Sequence, residues 1–212
     1  MKLSRSIGMP KSRHHTSSRT TRAVLEVLAV AILAMPLQSC FGTRDVIPPT
    51  SVGDTPDPAL TPGIVLSNLI LSVNRRDLGF YEDNFAPDFI FRPDPSDSVE
   101  VEKDFPGAYA NWNRDVETGV TEYMLDPVRC KFANLQFGNE IIVEETDSTS
   151  ILQEDYVLIV AYESVVGYSG SARFSMRKLP DGYWYIDRWV DYLNTDQGPS
   201  WGRLKGETRA RM

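Results

Sequence analysis

The stretch Ala172–Leu193, ARFSMRKLPDGYWYIDRWVDYL, decides the fold. Pro180-Asp181-Gly182 separates two runs in which apolar and polar residues alternate, and each of the three has turn chemistry. Proline presets φ at the first corner, aspartate bonds its own backbone, and glycine supplies a positive φ. The stretch predicts a hairpin closed by a type I turn and a glycine bulge, with Leu179 opposite Tyr183, Arg177 opposite Tyr185 and Met176 opposite Ile186. That register puts Phe174, Met176, Trp184 and Ile186 on one face. It puts Arg173, Arg177, Tyr185 and Asp187 on the other, unless a bulge between Asp187 and Trp189 changes the parity.

Working outward, Tyr156–Val166 reads as a long strand apolar at both parities, with Tyr156, Leu158, Val160 and Tyr162 on one side and Val157, Ile159, Ala161 and Val165 on the other. A sheet with one solvated face does not look like that, so the second face is expected to be covered, by the segment around Trp201, by another chain, or by both. Val128, Cys130 and Phe132 alternate with Arg129 and Lys131, and Ile141-Ile142-Val143 follows Gly138-Asn139, which gives further strands. Cys130 reads as a small buried thiol. The acidic residues Glu144, Glu145, Asp147, Glu154 and Asp155 flank a polar turn without calcium-loop spacing.

Before these strands come helices. Thr61-Pro62 is a cap and first-turn signal, after which Val65, Leu66, Leu69, Ile70 and Val73 recur at helical spacing. Asp77–Phe85 predicts a short second helix, and Phe89-Ile90-Phe91 a strand ended by Pro93 and Pro95. Pro106 opens another helical pattern carrying Tyr109, Trp112, Val116 and Val120 on one face, with Asp115 and Glu117 off that stripe as solvated carboxylates. Helices first and antiparallel strands afterwards predict an α+β domain over residues 61–212.

The chain has 212 residues, 24% charged and 42% hydrophobic, with a formal charge of −7. Residues 1–39 are basic, and the remainder holds 16 basic against 28 acidic residues, a charge of −12. That acidity excludes nucleic acid as an expected partner, because Lys and Arg supply most of that affinity. Both histidines, His14 and His15, lie in the basic leader, so the rest lacks the commonest general base and metal ligand. With two cysteines in all, Cys40 and Cys130, there is neither a zinc motif nor a disulfide framework, and no metal or cofactor is expected.

The leader has a basic start, the apolar run Ala23–Leu37 and a small residue before Cys40, the layout of a secretory signal over residues 1–39. Leu37, Ser39 and Cys40 resemble the lipobox of bacterial lipoprotein precursors. The resemblance implies export to the bacterial cell envelope and lipidation of Cys40, which tethers the protein to a membrane through chains contributing about 0.8 kcal/mol per buried CH₂. Phe41, rather than aspartate, implies outer-membrane retention in a Gram-negative cell. Residues 40–60, with Pro48, Pro49, Pro56 and Pro58, read as a linker.

The opening helix, the run Asp77…Tyr81…Phe85 into Phe89-Ile90-Phe91, the terminal Asp181-Gly182-Tyr183-Trp184-Tyr185-Ile186…Trp189…Asp191 and the closing Ser200–Gly206 resemble the nuclear transport factor 2-like superfamily, SnoaL-like proteins included. The resemblance implies a cone: a curved antiparallel sheet with N-terminal helices packed on its concave face. Enzymes of the family place Asp, His or Tyr inside the cone to move a proton. Without histidine, the candidate catalytic residues here are Asp187, Glu163 and Asp191.

The expected role is therefore a noncatalytic, lipid-anchored envelope protein whose cone, lined by Tyr109, Trp112, Phe174 and Trp184, is filled as a core or takes a small apolar ligand or a protein. One alternative is a cofactor-free isomerase or dehydratase using an inward carboxylate. Another is an assembly module forming a homodimer through the outer sheet face.

Overall fold

The computed structural model describes residues 55–194 and 198–212. The leader, Cys40 and the linker as far as residue 54 lie outside them. Helices α1 (Pro62–Arg75) and α2 (Leu78–Glu82) come first, then strand β1 (Phe85–Arg92) and helices α3 (Pro95–Asp104) and α4 (Arg114–Leu125). Strands β2 (Phe132–Glu145), β3 (Thr149–Ala161), β4 (Val165–Lys178) and β5 (Trp184–Leu193) follow, and α5 (Trp201–Arg209) closes the described chain. The fold is α+β, one five-stranded sheet in the order β1-β5-β4-β3-β2 with the helices on its concave side. The expectation of a wholly antiparallel sheet holds for four strands, whereas β1 runs parallel to β5.

The β4–β5 hairpin forms on its predicted turn. The Leu179 N–H donates to Tyr183 O at 2.9 Å and the Gly182 N–H to Leu179 O at 2.9 Å, with Gly182 at φ +88°. Arg177 faces Tyr185 and Met176 faces Ile186. Gly182→Ala would hold a Cβ at positive φ with no steric rescue, and a loss of about 1 kcal/mol is expected in urea denaturation. Past Ile186 the register slips, because Ser175 pairs with Arg188 and leaves Asp187 as the extra residue of a bulge. The slip exchanges the faces of every later residue, so Trp189 and Asp191 join Ile186 inside and both are fully buried.

Further expectations change. Pro95 does not merely end a strand: with Asp94 accepting the Ser96 N–H at 2.8 Å, it is the first turn of α3. The helix expected from Pro106 starts only at Arg114, capped by Asn113, so Tyr109 and Trp112 precede it in turns. The strand Tyr156–Val166 breaks at 162–164 into the β3–β4 hairpin. Near the start of β2 Cys130 is buried, while Val128 and Phe132, read with it as one face, are exposed.

Helix α1 buries Val65, Leu66, Leu69 and Val73, and Asn74 ties it to β2 by accepting the Leu135 N–H at 2.5 Å and donating to Leu135 O at 3.3 Å. The core runs from these residues through Phe85, Phe89 and Phe91 to Leu135, Leu158, Phe174 and Trp189. Trp201, expected on the sheet's second face, lies instead on the concave face, edge-on to Trp189 at 4.6 Å and to Tyr156 at 6.0 Å. The outer face therefore stays uncovered by this segment.

Candidate functional site

Helix α5 packs against β4 and β5 and the neighbouring helices, and its sequence explains how it fits. Trp201 and Lys205 are one turn apart and point inward, as do Gly202 and Gly206. A Cβ on Gly202 would sit 2.6 Å from Asp191 Oδ2, and one on Gly206 would overlap the Tyr109 ring. The two glycines thus let the helix axis approach the sheet and the 105–112 turns closely.

Lys205 is 0% exposed. Its Nζ lies 2.5 Å from Glu117 Oε1 and over three rings, at 3.3 Å from the centroid of Trp189, 4.3 Å from Phe91 and 4.8 Å from Trp201. Glu117, on α4, is also 0% exposed, which corrects its reading as a solvated carboxylate; Asp115 is exposed as expected. Two further donors fix Glu117, the Tyr81 hydroxyl to Oε1 at 2.5 Å and Trp112 Nε1 to Oε2 at 2.7 Å. Desolvation lowers the ammonium's pKa and the charge of Glu117 opposes it, while burial beside Glu117 pushes the Tyr81 hydroxyl well above its ordinary value.

Asp191 stands on the same floor. Its Oδ2 accepts the Gly202 N–H at 2.7 Å and the Tyr156 hydroxyl at 3.2 Å, and that hydroxyl accepts the Trp201 N–H at 2.8 Å. Burial pushes Asp191 up to about 7, against the opposing pull of the Gly202 N–H and Lys205. Its Oδ1 and the indole N–H groups of Trp189 and Trp201 are buried without a hydrogen-bond partner. At the rim Ser200 caps α5 and donates to Asp97 at 2.5 Å, and Arg209 donates to Ala108 O at 3.2 Å and Ala110 O at 2.7 Å.

This geometry sets the pH dependence. Folding raises Asp191 from an unfolded value near 3.8 to about 7, so the folded state holds the extra proton. Its contribution is present below pH about 4 and is lost as pH rises through about 7, with an upper bound of about 4 kcal/mol at roughly 1.4 kcal/mol per pKa unit. Glu154, pushed up to about 8 by burial and by Glu140, adds a slope of the same sign. Asp191→Asn is expected to flatten the fall in stability between pH 5 and 8, and urea midpoints at the two pH values check it.

The candidate residues from sequence separate. Asp187 stays on the outer side at the bulge, where desolvation raises its pKa and Arg177 and Arg188 lower it. Glu163 is exposed in the β3–β4 turn. Asp191 alone of the three enters the cone. Trp112, Phe174 and Trp184 are buried and Tyr109 is half-buried; Tyr109 stacks on Trp112 at 5.8 Å and Phe174 packs on Trp189 at 4.9 Å. Four grooves, of about 390 to 710 Å³, open to solvent, and none of them is lined by these four residues. Glu117 and Lys205 were missed by sequence reasoning, although the paired spacings Trp201/Lys205 and Gly202/Gly206 carried the signal for a buried helix face.

Among the described residues no group of three or more His, Cys, Asp or Glu is placed to hold a metal, and no helix is long and apolar enough to cross a membrane.

No family model matches the sequence, and no curated protein does. Solved structures do match. A protein of Novosphingobium aromaticivorans described as a candidate aromatic ring hydroxylase is 13% identical over 65% of this chain and 90% of its own, with a TM-score of 0.50. A candidate scytalone dehydratase from the same organism is 14% identical over 66% and 89%, TM-score 0.49, and a hexachlorocyclohexane dehydrochlorinase is 10% identical over 61% and 80%, TM-score 0.47. With its mixed sheet curved around helices on one side, the domain has the nuclear transport factor 2-like cone fold.

Proposed function

We propose that this is a noncatalytic envelope protein, tethered through Cys40, whose cone is filled by its own chain and whose binding surface is the outer face of the sheet. The carrying observation is α5: Trp201 and Lys205 occupy the concave face where a substrate of a cone enzyme would stand, and both are 0% exposed. A second copy is the partner this reading commits to. Across three strands the outer face sets Phe132, Ala161 and Val165 in one row and Val157 and Ile159 beside it, with Phe132, Val157 and Val165 at 51%, 46% and 72% exposure.

Light scattering on the domain from residue 56 onward is expected to report a dimer that Val157→Asp converts to a monomer. A wild-type monomer at high concentration contradicts the partner. Labelled fatty acid should enter the wild type in its host and not Cys40→Ser; equal labelling contradicts the tether.

One observation favours a second reading, a proton-transfer enzyme. Asp191 points into the cone, has a raised pKa and keeps Oδ1 unpartnered. Turnover of a hydroxy-ketone by the purified domain, lost in Asp191→Asn with the fold intact, would establish it over the first; no turnover would remove it.

A further inference from the structure

Burying an ammonium costs several kcal/mol even when it is paired, and an apolar side chain would fill the same space without that cost. Lys205 is nevertheless held as a ligand is held. The groups that hold it form two sets: Glu117, Phe91, Trp189, Tyr81 and Trp112 belong to α4, β1, β5, α2 and the turn before α4, and only the wall formed by Trp201 comes from the helix that carries the lysine. Tyr81 and Trp112 aim Glu117 from the cone's side. The carboxylate is thereby oriented whether or not Lys205 is present.

Helix α5 has its own anchors, the buried Trp201 and Leu204 and a set of polar contacts: Gly202 N–H to Asp191, Trp201 N–H to Tyr156, Ser200 to Asp97, Arg209 to two carbonyls. Carboxylate plus aromatic faces is the chemistry that recognises an organic cation. The 2.5 Å approach of Nζ to Glu117 leaves no space for a methyl group on that side of the nitrogen, so a quaternary ammonium does not fit.

We propose that the cone carries a primary-alkylammonium binding site, formed by Glu117, Phe91 and Trp189, and that Lys205 is its intramolecular occupant. The ligand class is an unbranched monoalkylamine of about the length of a lysine side chain. Such a ligand competes with Lys205 in the minority of molecules in which α5 has opened locally, and binding it holds α5 off the cone. The site is independent of whether the outer face dimerises.

The test uses n-butylammonium, with n-butanol and tetramethylammonium as controls. On Lys205→Ala, butylammonium should raise the melting temperature saturably, or restore folding saturably if that variant is unfolded. It should act at concentrations about tenfold lower than butanol, the factor equivalent to about 1.4 kcal/mol, and adding Glu117→Gln should abolish the difference. On the wild type, butylammonium alone should accelerate amide exchange of residues 200–209 while β3 and β4 stay protected. Butanol matching butylammonium on the variant, or exchange of 200–209 in the wild type indifferent to the amine, overturns the proposal. Light scattering in the same samples separates this result from the fate of the dimer.

Discussion

Glu117→Ala is expected to destabilise the domain by about 3–5 kcal/mol, because removing one partner of a buried pair leaves the other charge uncompensated. The loss extends beyond Lys205, since the Tyr81 hydroxyl and Trp112 Nε1 also donate to this carboxylate and would be left buried without acceptors. Removing both charges is a different perturbation. In Glu117→Leu/Lys205→Met the desolvation cost of the ammonium disappears with the attraction, so stability should recover the part of the loss that comes from the uncompensated charge, while the Tyr81 and Trp112 donors stay without an acceptor. Urea denaturation of the two single variants and the double variant gives the coupling. A double variant that loses the sum of the single losses would mean that the two groups do not interact.

Trp201→Ala carries the other large effect, a loss of about 3–5 kcal/mol for a large aromatic side chain removed from a closed core. Trp201 is 0% exposed, packs edge-on against Trp189 and Tyr156, and forms one wall around the Lys205 ammonium. Tyr183→Ala provides the contrast: at 40% exposure on the hairpin loop it should cost no more than about 0.5 kcal/mol. Guanidinium midpoints for the two variants decide whether α5 is part of the core or a surface appendage.

What could be read in the sequence was local. The turn at Pro180-Asp181-Gly182 is chosen by the φ preferences of three adjacent residues, so the hairpin and its first pairings were legible. Whether a bulge forms at Asp187 was not. Placing Trp189 and Asp191 inside requires skipping one residue, and only the burial available on the concave face decides between the two parities. The helix at Pro95 was hidden because the same proline that opens a helix also ends a strand. Glu117 read as a solvated charge on a helix, the commoner state of such residues, and nothing local indicates that it meets Lys205. Their pairing is a property of how α4 and α5 pack on the sheet.

Lys205 fills the cone, and proton NMR of the lysine side chains tests that placement. Nζ lies 3.3 Å from the Trp189 ring centroid. The Lys205 side-chain methylene protons next to Nζ are expected to move upfield out of the envelope of the exposed Lys103, Lys131 and Lys178, with cross-relaxation to the Trp189 indole. Lys205 resonances within that envelope, without contact to Trp189, would contradict it.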